Sequence, residues 1–133
     1  MVIAVGLLAS EAAVRIVGFA PVYRAIGRVF RVRRPGAGTS AQAEAIASRV
    51  AAINARLRPR RAACMGRALV TWAALRTRGL DAQLRLGARS ANDALEAHAW
   101  VEHDDVPLAE AEGVVASYAA FPLRPEHLGL RAG

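Results

Sequence analysis

The hydrophobic pattern changes period at Leu80, and this change constrains the fold more than any other feature of the chain. Before it, apolar residues recur every three or four positions. Ile46, Val50, Ile53 and Leu57 form one such series; Met65, Leu69, Trp72 and Leu75 form another. Each series falls on one face of a helix. After it, Ala82, Leu84 and Leu86 alternate with Asp81, Gln83 and Arg85, which is the period of a half-buried strand. Helices gathered ahead of strands predict an α+β domain with an antiparallel meander. With 133 residues, the chain has length for one such domain.

The punctuation agrees. Arg34-Pro35-Gly36-Ala37-Gly38-Thr39 is a linker signal. It divides the domain 1–133 into N-terminal helices (1–34), a linker (35–39) and a core carrying the candidate chemistry (40–133). Thr39 and Gln42 have capping-box spacing, and Pro59 stops the helix they begin. A second helix starts near Cys64 and ends at Gly79 as its C-cap. Ser90 to Asp93 is expected as a polar loop, Ala97 to Glu102 as a second strand, and Asp104-Asp105 as a turn. A return strand then runs through Val106 and Leu108. Upstream, Val22 to Val32 sets Arg24, Arg28 and Arg31 against Val22, Ile26, Val29 and Phe30, an amphipathic helix with a cationic edge. Met1 to Ser10 is apolar but lacks the leading positive charge of a signal peptide. Glu11 and Arg15 interrupt it well short of the ~20 apolar residues of a membrane span. A buried or partner-facing helix is expected there, with membrane-surface contact the weaker alternative.

Composition narrows the function. All 18 basic residues are arginine, and 31 residues are alanine, which favours helix. Residues 1–61 hold eleven Arg against Glu11 and Glu44, whereas residues 62–133 hold seven Arg against nine carboxylates. A basic half suits an acidic peptide, an anionic lipid or nucleic acid. Zinc spacing, an aromatic-rich binding strand and a clear helix-turn-helix are all missing, which argues against nucleic acid. One cysteine excludes an internal disulfide and a Cys-rich zinc site. His98, His103 and His127 match no zinc spacing, so no metal and no cofactor are expected.

A lone Cys is either buried ballast or a nucleophile. A thiol attacks as thiolate, which a helix N-terminus and a nearby imidazolium both favour. Cys64 stands at the expected start of a helix, and His98 follows 34 residues later in a strand. An acid must then orient the imidazole; Asp104, Asp105, Glu110 and Glu112 are the candidates. Register separates them. A two- or four-residue loop on Asp104-Asp105 sets Ala111 opposite His98, and a three-residue loop sets Glu110 there. Three-residue hairpin loops are common, and the two aspartates are turn formers that point away from the site, so the three-residue register with Glu110 is preferred. The blander reading makes Cys64 packing and His98 a satisfied core histidine. His103 and His127 are expected at the surface, and Trp72 in the core. Trp100 shares the face of His98, as a wall of the site or a filler of the sheet–helix interface.

Together, Cys64-Met65-Gly66-Arg67-Ala68-Leu69, Arg78-Gly79-Leu80-Asp81-Ala82-Gln83-Leu84-Arg85-Leu86-Gly87 and Ala97-His98-Ala99-Trp100-Val101-Glu102 resemble the transglutaminase-like leader peptidases of lasso peptide biosynthesis. The likeness runs from about residue 5 to residue 123. It implies a transglutaminase-like, papain-like fold, with N-terminal helices and a Cys-bearing helix packed on a small antiparallel sheet. It also implies a cytoplasmic cysteine protease, with Cys64 as nucleophile, His98 as general base and Glu110 at the position of the family's Asp. Trp100 and Arg67 are the expected substrate contacts. The implied partners are a precursor peptide, a separate small leader-recognition protein and an asparagine-synthetase-like macrolactam cyclase. A non-catalytic docking subunit and an acyltransferase of the same fold are the alternatives.

Overall fold

The computed structural model describes residues 2–8, 18–29, 39–57 and 64–121. Among these residues, four helices pack against one four-stranded antiparallel sheet: α1 (2–8), α2 (Phe19–Val29), α3 (Ser40–Leu57) and α4 (Cys64–Thr77), then β1 (Gln83–Ala91), β2 (Ala94–His103), β3 (Val106–Pro107) and β4 (Ala119–Phe121). The α+β expectation holds. The linker at 35–38, together with Arg31, Pro59 and His127, lies outside the described residues.

The capping box opens α3 as its spacing predicts. Thr39 N–H donates to Gln42 Oε1 at 3.1 Å, and Gln42 N–H to Thr39 Oγ1 at 3.3 Å. The buried face of α3 differs from the expected one. Ala43, Ala47, Val50 and Asn54 point inward, while Leu57 is exposed. The small alanines let the helix backbone come close to α4, which turns the bulkier Ile46 and Ile53 to the margin. Helix α4 is central, with Gly66, Ala68, Leu69, Thr71, Trp72 and Leu75 all buried. It ends in a Schellman motif. Gly79 takes φ +75°, its N–H reaches Arg76 O at 3.1 Å, and Leu80 N–H reaches Leu75 O at 3.0 Å.

The sheet order is β3-β2-β1-β4. The first hairpin is tighter than expected. Ser90 and Ala91 belong to β1 and pair with Leu95 and Ala94. Only Asn92 and Asp93 turn, both at positive φ (48° and 61°), which Asn and Asp tolerate and which suits the strand twist. The second hairpin repeats the device with Asp104 and Asp105 at φ 50° and 62°. It pairs His103 with Val106 and Glu102 with Pro107. The two-residue loop, not the preferred three-residue one, therefore sets the register. Strand β4 lies beyond β1, an addition to the expected meander, and pairs Gly87 with Ala120.

One sheet face meets the helices. Leu84, Ala99 and Val101 join Leu69, Trp72, Leu75, Leu80 and Val22 in the core, and Trp72 Nε1 donates to Ala82 O at 3.0 Å. His103 is buried on this side, contrary to its expected surface position, and its Nδ1–H donates to Asp81 O at 2.8 Å. As the last residue of β2 it alternates with Glu102 and so falls on the same side as Val101.

Candidate active site

Cys64 is the first residue of α4, half-buried and packed against the core. The opening turn of a helix leaves backbone N–H groups without intrahelical partners, so the thiol stands where negative charge is favoured. One turn on, at the i+3 position, Arg67 shares its face of the helix. The Arg67 guanidinium makes a close ion pair with Glu110, which in turn reaches His98.

His98 sits mid-strand in β2, opposite Gly87 of β1. Its Nε2 lies 3.1 Å from Glu110 Oε1, with side-chain exposures of 14% and 7%. The N–H direction misses the oxygen, so this is a close contact without an aligned hydrogen bond, and Nε2 is otherwise buried from water. Because Nε2 addresses the acid, Nδ1 is the nitrogen left to exchange a proton with a thiol.

Glu110 does not arrive by register. The observed pairing would set residue 111 opposite His98, and regular pairing already ends near Leu108, whose N–H donates to Val101 O at 2.9 Å. Ala109 then turns to φ +53°. A non-glycine residue in this region costs about 1–2 kcal/mol, and the bend redirects the chain so that Glu110 faces His98. Glu44 of α3 receives the Ala109 N–H with both carboxylate oxygens, at 3.1 and 3.3 Å. The other candidate acids lie elsewhere. Asp104 and Asp105 form the exposed turn, with Asp104 Oδ2 3.4 Å from His103, and Glu112 is exposed.

Trp100 is buried outside the helix-facing core, its indole stacked near His98 with ring centroids 5.8 Å apart. Its Nε1 donates to Glu102 Oε1 at 3.0 Å. It thus walls the His98 face. Arg67, an expected substrate contact, has its guanidinium on Glu110.

Tyr118 gave no signal in the sequence, because only the pairing of β4 with β1 brings it in. Its ring lies 5.1 Å from that of His98 and 6.5 Å from that of Trp100. Its hydroxyl donates to Glu96 at 3.2 Å. Loss of water around the ring pushes the phenol above its ordinary pKa, as does the bond to Glu96; negative charge on Glu96 and on Cys64 adds to this, and Arg89 opposes it. Tyr118 therefore neighbours His98. Outside it, Arg89 stacks over the phenol ring at 4.5 Å, with Arg89 Nε donating to Glu96 at 3.0 Å and Nη1 to Ser117 Oγ at 2.8 Å. The hydrogen bond from Arg89 holds the Glu96 carboxyl below its ordinary range, and burial opposes this.

A helix-start thiol, an imidazole backed by a carboxylate and an aromatic wall can perform nucleophilic acyl chemistry. No group of His, Cys, Asp and Glu among the described residues could hold a metal ion. No described helix is long and apolar enough to cross a membrane. A model described as the transglutaminase-like superfamily matches residues 6–122. No curated protein and no solved structure matches the chain.

Proposed function

Because the chain belongs to the transglutaminase-like superfamily, we propose that it is a cysteine peptidase that removes the leader from a ribosomally made lasso peptide precursor. The observation that carries this reading is Glu110, which bridges His98 on β2 and Arg67, the residue one turn after Cys64 on α4. In the cleavage step, His98 accepts the Cys64 proton and the thiolate attacks the scissile carbonyl. The free N–H groups of the first turn of α4 are suited to hold the oxyanion. His98 then gives its proton to the leaving amine, and a thioester forms as the amide bond breaks. Water, activated by His98, hydrolyses the thioester and frees Cys64. Glu110 stabilises the imidazolium formed on the way.

The resemblance implies a separate small leader-recognition protein acting with this chain in the cytoplasm. An asparagine-synthetase-like cyclase then uses the freed amine. The basic residues of 1–61 suit an acidic leader. One observation favours the docking-subunit alternative: Arg67 already neutralises Glu110, and His98 Nε2 lacks an aligned bond.

The deciding experiment is mass spectrometry of a precursor incubated with this chain and the leader-recognition protein encoded beside it. Cleavage at one bond, abolished in Cys64→Ala, is the expected result. Equal cutting by both would remove Cys64 as nucleophile. No cutting with an intact complex would favour the docking subunit. A new amide in the presence of a free amine would favour the acyltransferase.

A further inference from the structure

We infer that Glu44, on α3, is a positioning residue for the candidate site, acting through the Ala109 backbone to hold Glu110 against His98; this rests on the cysteine-peptidase reading above. Three features converge on it. Glu110 meets His98 only because the chain leaves its strand register at Ala109, where φ is +53°. Such a conformation persists in a non-glycine residue only where its surroundings hold it. On one side the hold is Leu108, buried in the core and bonded to Val101 O at 2.9 Å. On the other it is the Glu44 carboxylate, which takes the Ala109 N–H with both oxygens across 65 residues of sequence.

Glu44 is itself steadied within α3, where Ser48 Oγ donates to Glu44 Oε1 at 3.2 Å. The helix is fixed by its capping box and by Ala43 and Ala47, both buried. The carboxylate therefore meets the bend from a rigid element, one residue ahead of the carboxylate that faces the imidazole. Its length matters more than its charge. A Gln keeps an oxygen at the same reach, whereas an Asp keeps the charge but falls one methylene short.

The test reads the site without a substrate. Cys64 is the chain's single cysteine, so its alkylation by iodoacetamide, followed by intact mass at a pH of about 7, reports thiolate activation at this one residue. Glu44→Asp is expected to slow alkylation about fivefold and Glu44→Gln less than about twofold, with both melting cooperatively. Added to Glu110→Ala, Glu44→Asp should cause no further loss, since a residue acting only through Glu110 is silent once Glu110 is gone. Equal effects of Asp and Gln, or a full additional loss in the Glu110→Ala background, would overturn the inference and leave Glu44 a simple surface staple. A different pattern marks failure of the peptidase reading: Cys64 no faster than a free thiol, and unchanged by His98→Ala. That result would overturn both.

Discussion

At the scale of single residues, the site depends on one absent side chain. Gly87 lies opposite His98, and a Cβ there would stand 2.9 Å from Trp100 Cη2 and 3.0 Å from Ala119 O. The second contact is backbone, so it cannot be relieved by a rotamer change. Gly87→Ala should therefore push Trp100 or β4 outward, at a cost of about 1–3 kcal/mol. The expected outcome is a melting temperature lower by several degrees, on the order of 3–10 °C. Cleavage should fall further than that loss explains, because Trp100 is stacked near His98. Calorimetry and precursor cleavage on the same variant check both halves. The sequence shows Gly87 within a motif but gives no reason for it, since the reason is a ring two residues along the neighbouring strand. Cys64 and His98 are legible for the opposite reason. Their chemistry is rare in this chain and announces itself without contacts. Glu44 looks like any helix-surface acid until the bend at Ala109 is known.

Among elements, what the sequence reveals depends on how local the determinant is. The start of α3, the end of α4 and the strand alternation each depend on residues within a few positions of one another, so each can be read directly. Register and the fourth strand depend on turns and long-range pairing. Both hairpins use two-residue turns of Asn or Asp at positive φ, and neither contains the glycine that usually signals such a turn. The chain then meets Glu110 by a bend that no register predicts. Strand β4 completes a cluster drawn from three segments: Arg89 on β1, Glu96 on β2 and Tyr118 just ahead of β4. This cluster makes a pH prediction. Because the bond from Arg89 lowers the folded-state pKa of Glu96, its stabilisation is complete above the unfolded carboxylate pKa. It fades as pH falls through the lowered folded value. Glu96→Gln should accordingly melt below wild type at neutral pH and approach it in acid, in a series of thermal scans from neutral to acid pH. A gap that stayed constant or widened on acidification would mean that the ionised carboxylate does not tie these strands together. The exposure of Glu96 to water keeps the effect small.

Taken as a whole, the molecule does not divide where its charge divides. Residues 1–61 carry all the excess of arginine over carboxylate, yet α2 is built into the core. Val22 is buried with α4 residues, Tyr23 stacks on Trp72 at 4.7 Å with the planes 4° apart, and Arg76 covers the same indole at 4.9 Å. Burial against the core pushes the Tyr23 phenol above its ordinary pKa, with Arg76 opposing. Helix α1 meets a different face of α4, where Gly6 lies close enough to Val70 that a Cβ would touch it at 3.6 Å. Helices α1 and α2 thus cover the helix whose first residue is Cys64, and any partner they bind docks onto the body of the domain. Removal of residues 1–34 should uncover Trp72, at a cost on the order of 3–5 kcal/mol, a large share of a typical domain's 5–15 kcal/mol. The shortened chain is expected to lose cooperative melting or to melt at least about 10 °C lower, with its tryptophan emission shifted to the red. If it melted like the full chain and failed only to bind the leader-recognition protein, the helices would be a docking arm laid over a self-sufficient core.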